Sequence, residues 1–277
     1  MNRVWLVTGA SSGFGRAVTE AAVAAGDVVV AAARRTPLLD DLVAAHPDQV
    51  EALPLDVTDT TAVRAAVDGV VSRHGRIDVL VNNAGRGLVG AVEETTDEEL
   101  RDLMDLHFFG PVALTRAALP HMRRRGSGAV VQLSSMGGRF AFAGVGGYCA
   151  TKFALEGLSE ALAAEVAPHG IRVLIVEPGA FRTSFAGAGA LQQSTALDAY
   201  EETVGPVRAG LAGGSGREPG DPAKAAAAIL TALDSDEPPL RLPLGNDAAD
   251  AITAQLDRAR TELRVWEGLA RSTDFDA

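Results

Sequence analysis

Continuously apolar runs alternate along the chain with longer stretches of mixed, amphipathic character. "VWLVTG" (4–9), "VVVAAA" (28–33), "VEALPLDV" (50–57), "IDVLVNNAG" (77–85), "GAVVQLSS" (128–135) and "IRVLIVEPG" (171–179) read as six strands. They are apolar throughout rather than at alternate positions, the pattern of parallel strands covered by helices on both faces. Helical spacing falls between them: a first helix carrying Val18, Ala21, Ala22 and Ala25 on one face and ending at Gly26, then stretches near 60–74, 97–125 and 148–167. The alternation predicts a Rossmann-like α/β fold, a doubly wound parallel sheet with helices on both faces.

Beyond Gly179 the character changes. "AFRTSFAGAGALQQSTALDAY" and "AGLAGGSGREPGDP" are rich in Gly, Ala and Ser, so the region of about 180–220 reads as a mobile substrate loop beside the site or as a loosely packed linker. "DPAKAAAAILTAL" follows as a capped helix, with Asp221 at the cap and Pro222 in the first turn. "LRLPLG" suits an edge strand, and 246–270 an amphipathic C-terminal helix with Ile252, Leu256, Leu263 and Trp266 roughly on one face. No repeat or composition break divides residues 1–277, which are expected to form one domain.

Composition narrows the function. With 47% hydrophobic and 22% charged residues the chain is globular, and a net charge of −11 opposes binding to nucleic acid or an anionic membrane. A small-molecule substrate is favoured. The single cysteine, Cys149, excludes an intrachain disulfide, and no run is long enough for a signal peptide core or a membrane span, so a soluble cytoplasmic protein is expected. The five histidines show no metal-ligand spacing, and no metal is expected.

Three motifs carry chemistry. The first strand runs into "TGASSGFG", where Gly9, Gly13 and Gly15 permit a tight turn onto a helix N-terminus that suits a pyrophosphate. The same letters match the G-x-S-x-G elbow of hydrolases with Ser11 as nucleophile, a rival reading that needs an acid and a histidine at later strand ends. The second strand ends with Ala33 where an acid would receive the ribose of NAD, and Arg34 and Arg35 follow, which favours the 2′-phosphate of NADP(H) over NAD(H); Arg35 could equally point to solvent. Tyr148 and Lys152, four residues apart, share a helix face, and a nearby ammonium would lower the phenol pKa toward working pH for general acid–base work. Ser135, thirteen residues before Tyr148 at a strand end, could hold a substrate oxygen.

Taken in order, "TGASSGFG", "NNAG" (82–85), Ser135, "YCATK" and "PGAFRT" (178–183) resemble the short-chain dehydrogenase/reductase family, most nearly its shorter, single-domain members. The resemblance covers the chain up to about Thr183 and more loosely the rest. It implies Tyr148 as catalytic acid/base, Lys152 lowering its pKa and binding the nicotinamide ribose, and Ser135 orienting the carbonyl. Ser11, Ser12 and Phe14 join the three glycines in the cofactor turn. Asp56 would bond the adenine amino group and Val57 contact it through its backbone; Asn83, Ala84 and Gly85 would support the cofactor. Pro178 and Gly179 would shape the nicotinamide pocket, and Thr183 would bind the carboxamide or pyrophosphate. Members are commonly dimers or tetramers, so a homodimer or homotetramer is implied. One departure stands out: the family's fourth catalytic residue, an asparagine, is replaced by His107 in "LHFFG". His107 either serves the same proton relay with a pH-sensitive step or fills a helix kink.

The residues together point to an NADP(H)-dependent ketoreductase or alcohol dehydrogenase. Met136, Phe142, Phe181 and Phe185 are the candidates for an apolar pocket that would take a lipophilic ketone. An NADP(H)-binding regulatory protein with little turnover is the alternative, suggested by His107 alone. Cys149 reads as a small wall residue, Ser134 as structural, and "HMRRRG" (121–126) as a solvated helix end whose cations favour the dipole.

Overall fold

The computed structural model describes residues 2–186, 190–213 and 216–275. The chain begins with β1 (Val4–Thr8), α1 (Gly13–Ala24), β2 (Val28–Ala33), α2 (Asp40–Ala45), β3 (Val50–Pro54), α3 (Thr60–His74) and β4 (Val79–Asn82). A short β5 (Gly87–Val89) leads to α4 (Asp97–Met104), α5 (Gly110–Arg125), β6 (Gly128–Leu133), α6 (Gly146–Val166) and β7 (Ile171–Pro178). Then come β8 (Leu191–Gln193), α7 (Glu201–Gly213), α8 (Pro222–Asp234), β9 (Arg241–Leu244) and α9 (Asn246–Arg271).

Seven strands form one parallel sheet in the order β3-β2-β1-β4-β6-β7-β9. The six apolar runs are its body, and "LRLPLG" supplies the edge strand. Because every inner strand is buried on both faces, the core divides into two layers. Trp5, Val29, Val81 and Ile229 lie on one side of the sheet, and Leu6, Val30, Leu80 and Leu114 on the other. The winding reverses between β1 and β4, and the crevice there, at the carboxyl ends of the strands, is where such sheets bind ligands.

Two expectations need correction. The stretch 97–125 is not one helix: Asp105–Phe109 forms a π-turn between α4 and α5. Pro111 lacks the N–H that the His107 carbonyl would accept in a regular helix, so the ladder must widen there. The region 180–220 is not simply loop, since β8 pairs with β5 and α7 follows it. Of the substrate loop expected there, residues 187–189, 214 and 215 lie outside the described residues. Elsewhere the signals act as read. Asp221 caps α8 by accepting from Ala223 N–H at 2.8 Å, and Gly126 closes α5 with a left-handed φ of 69°. Among the described residues no helix is long and apolar enough to cross a membrane.

Candidate active site

The glycine turn is shaped by steric necessity. A Cβ on Gly15 would lie 2.4 Å from the Gly9 carbonyl oxygen and 2.5 Å from Asn83 Nδ2, and Gly9 itself has a left-handed φ of 63°. Only hydrogen side chains let α1 start this close to β4. Asn83 closes the turn from the other side, donating from Nδ2 to the Thr8 carbonyl at 2.8 Å, while its own N–H and that of Ala84 donate to Thr8 Oγ1. Thr8, unnoticed in the sequence, is thus the hub joining "TG" to "NNAG"; a threonine inside an apolar strand was the available signal. Ser12 precedes α1 without a side-chain cap and the first turn holds no acid, so the N–H groups of the turn remain available to an anion. Thr183 lies directly against this turn, its Cβ 3.3 Å from where a Gly13 Cβ would stand.

At the end of β2, Ala33 is buried while Arg34 and Arg35 are exposed, and neither guanidinium has an ion-pair partner among the described residues. The charge of Arg34 reaches Asp56. Partial burial alone would raise the Asp56 carboxyl, but hydrogen bonds from Thr58 and the Arg34 charge outweigh it and hold it low. Asp56 Oδ1 accepts from the Thr58 N–H and hydroxyl, and Val57 beside it is buried.

Ser135 and Tyr148 meet at the carboxyl end of β6. Burial pushes the Tyr148 phenol up to about 12, opposed by the Ser135 hydroxyl beside it. Ser135 Oγ also accepts from Gly137 N–H at 3.0 Å. Lys152 is buried, its pKa brought down to about 8 by desolvation, with Glu156 opposing. Its Nζ donates to the Leu133 carbonyl at 2.7 Å and stands 5.7 Å from the centroid of the Tyr148 ring. The ammonium is aimed at the strand carbonyl, and burial is the largest influence on the phenol.

His107 sits inside the π-turn with both ring nitrogens engaged. Nε2 accepts from the Arg86 N–H at 3.1 Å, which places the ring proton on Nδ1, 2.9 Å from Thr151 Oγ1; that hydroxyl donates to the Tyr148 carbonyl at 2.8 Å. Burial first, then the charges of Lys152 and Arg86, drive its pKa well below the ordinary value. With both ring nitrogens engaged, His107 links the turn at Gly85 and Arg86 to the helix bearing Tyr148, its ring edge-on to Tyr148 at 5.6 Å, an arrangement that favours the kink-filling reading. Thr151, its partner, carried no motif signal.

Of the apolar candidates, Phe185 reaches the site, 5.7 Å from the Tyr148 ring. Phe181 does not: it packs on Phe14 at 5.0 Å and over Gly220. Phe142 is half exposed against Phe140, and Met136 is partly buried in the turn after Ser135. The larger apolar wall beside Tyr148 and the buried Cys149 comes from Leu191, Tyr200, Val204, Val207 and Leu211, in a segment whose small residues hid it. Pro178 ends β7, and Gly179 is required because a Cβ there would lie 2.3 Å from the Asp247 carboxylate, which accepts from Ala180 N–H at 2.7 Å. Ser134 donates to Glu156 at 2.6 Å and is structural. Ser11 has no histidine partner among the described residues, which leaves the hydrolase reading without its base.

The glycine turn at the switch point and the Ser135–Tyr148–Lys152 cluster meet on one edge of the sheet, and residues 3–193 match the family model described as short chain dehydrogenase. The chain belongs to the short-chain dehydrogenase family. It is an oxidoreductase. A solved short-chain dehydrogenase from Streptomyces avermitilis is 62% identical with a TM-score of 0.95, over 99% of this chain and 100% of that one. The oxidoreductase BOA17 of Botryotinia fuckeliana is 39% identical over 251 residues, 90% of this chain and 91% of that relative. A 3-ketodihydrosphingosine reductase of Bacteroides thetaiotaomicron is 42% identical over 183 residues, 66% of this chain and 65% of that one.

Proposed function

We propose that this short-chain dehydrogenase is an NADP(H)-dependent carbonyl reductase or alcohol dehydrogenase acting on a lipophilic ketone and its secondary alcohol. The observation that carries the reading is the convergence of Ser135 and the partly buried Tyr148 at the carboxyl end of β6, with Lys152 behind them. A dinucleotide fits the residues beside them: a turn that tolerates no Cβ at Gly15, an uncapped helix start, and two exposed arginines after β2 with no ion-pair partner among the described residues. When bound, the cofactor supplies the hydride for reduction or accepts it for oxidation.

In reduction, Tyr148 gives its proton to the carbonyl oxygen while Ser135 holds that oxygen by a hydrogen bond; oxidation runs the same steps backward. A phenol held at about 12 is fully protonated at neutral pH, which suits the acid role. Lys152, buried and cationic below about pH 8, supplies positive charge behind the phenol and a donor for the nicotinamide ribose. Gly9, Ser11, Ser12, Gly13, Phe14 and Gly15 form the pyrophosphate turn, Asn83 to Gly85 its support, and Asp56 and Val57 the adenine contact. Pro178, Gly179 and Thr183 flank the nicotinamide. Arg34, helped by Arg35, takes the 2′-phosphate that an acid at position 33 would repel. The lipophilic substrate class is supported by the wall of Phe185, Leu191, Val204 and Val207, and by the ketone substrate in the name of the Bacteroides relative.

NADPH oxidation over a panel of ketones and aldehydes tests the assignment. Turnover of lipophilic ketones is expected, and Tyr148→Phe should lower kcat roughly 100- to 10,000-fold while NADPH still binds. Tight NADPH binding by the wild type with no turnover of any carbonyl would instead support the regulatory alternative.

A further inference from the structure

The outer part of α9 belongs to no core of its own chain. Its root is fixed: Ala248 and Ile252 are buried, and Asp247 clasps the Ala180 N–H. From residue 256 to 271 every position is exposed, a helical overhang of about 24 Å at 1.5 Å per residue. Helices of this length are marginal in water without tertiary contacts. Yet the overhang carries large apolar side chains, with Leu256 53%, Leu263 66%, Trp266 62% and Leu269 64% exposed.

Their spacing specifies what covers them. Ile252, Leu256, Ala259, Leu263, Trp266 and Ala270 follow strictly alternating steps of four and three, the seam of a two-stranded coiled coil rather than the broader stripe of a helix lying on a sheet. Five such positions continue the line of buried Ile252 beyond the edge of the body. The flanking charges then select a direction. If two such helices ran parallel, Glu262 would face Glu267 of the second copy, like against like. If they run antiparallel, with Leu263 against Trp266 of the second copy and Ala259 against Ala270, Arg260 falls opposite Glu267 and two-fold symmetry repeats the pair. Glu267 now contacts Arg271 of its own helix at 2.6 Å, an exposed pair of little strength, and Arg260 and Glu262 have no ion-pair partner among the described residues.

We infer that α9 is a dimerisation arm: its outer half pairs antiparallel with the same helix of a second copy of this chain, through Leu263 and Trp266 flanked by Ala259 and Ala270, with Arg260 and Glu267 setting the direction. This holds whatever substrate the site takes, because the seam lies on the overhang, outside the catalytic cluster.

Sedimentation velocity of the full chain reads the outcome as mass. Leu263→Glu should halve the mass of the species seen at micromolar concentration; the residue is exposed in the single chain, so folding is spared. Arg260→Glu alone and Glu267→Arg alone should each weaken association roughly tenfold or more, because symmetry makes each change strike twice. The double variant should restore it. The difference in emission between wild type and Trp266→Phe should shift to the blue as concentration rises. A mass unaffected by Leu263→Glu, a double variant no better than the singles, or a blue shift seen only with phosphatidylcholine–phosphatidylserine vesicles would overturn the inference; the last would assign the arm to a membrane surface.

Discussion

The two sides of Tyr148 are built by opposite means. The cofactor side is made of backbone locked against backbone and two short hydrogen-bonded side chains: Gly9, Gly15, Asn83 and Thr8 interlock at distances that exclude a single methyl group. The substrate side is a Gly- and Ala-rich segment held by a few side-chain tethers. Glu94, buried, accepts from the N–H groups of Ala91 at 2.6 Å and Leu197 at 2.8 Å and pairs with Arg208 on α7; Ser194 donates to Glu99 at 3.0 Å. A packed backbone has almost no way to yield, whereas tethers loosen one at a time. Damage to the first region should be abrupt and to the second graded.

Gly15→Ala is the hardest test of that contrast. The new Cβ would meet the Gly9 carbonyl and the Asn83 amide, neither of which can swing aside. Overpacking of this kind costs about 1–3 kcal/mol, and the turn that shifts to relieve it is the phosphate cradle. NADPH affinity should fall roughly 100-fold or more, measured by cofactor fluorescence, with a melting temperature lower by several degrees. Gly210→Ala is the counterpart on α7, where a Cβ meets nothing within 4 Å, and it should be neutral or stabilising by about 0.4–1 kcal/mol. Equal effects from the two substitutions would erase the distinction.

The same contrast decides what could be read from the chain. The sheet was legible because doubly buried strands must be continuously apolar, and the glycine turn because only glycine satisfies its geometry. The chemistry of Ser135, Tyr148 and Lys152 was legible through spacing along one strand end and one helix face. What escaped depends on contacts between distant segments. The wall at Leu191, Val204 and Val207 lies in a stretch whose small residues resemble linker, and its order comes from Glu94, more than a hundred residues from Arg208. His107 was ambiguous because an imidazole's role is set by its partners, here the Arg86 N–H and Thr151, neither marked by any motif. Spacing reports the proximity of Lys152 to Tyr148 but not the burial that pushes the phenol up.

Arg34→Glu probes an exposed part of the cofactor side, where little packing is at stake. Losing charge-assisted contacts to a phosphate and adding a repulsive carboxylate should weaken NADPH roughly 10- to 100-fold and leave NADH unchanged or improved. Tighter binding of NADH than NADPH by the wild type would defeat the assignment. Arg208→Ala cuts one tether of the substrate side. Glu94 keeps its two backbone donors, so the wall should loosen rather than collapse, raising KM for a bulky ketone roughly 3- to 10-fold with kcat little changed. A fall in kcat equal to the rise in KM would place Arg208 in the chemistry instead.

The finest test lies where the two constructions join. Glu177, the residue before Pro178 on β7, is fully buried behind the Ser134–Ser135 turn. One carboxylate oxygen accepts from Arg139 at 3.0 Å and lies 3.4 Å from Arg241; the other has no hydrogen-bond partner. Burial first, then the charge of Glu156, push its pKa from 4.5 to about 7 against the pull of Arg139. Between those two values the folded chain binds a proton that the unfolded chain releases, so stability falls as pH rises through this window and the loss is complete above about pH 7. Glu177→Gln copies the protonated form and should remove that loss. At pH 8 the variant should be more stable by on the order of 1–3 kcal/mol, and near pH 4.5 the two proteins should melt together. A variant destabilised equally at both pH values would mean that the ion pairs with Arg139 and Arg241 outweigh desolvation. The seam would then be a tether like Glu94 rather than a tightly packed, poorly solvated site like the cradle.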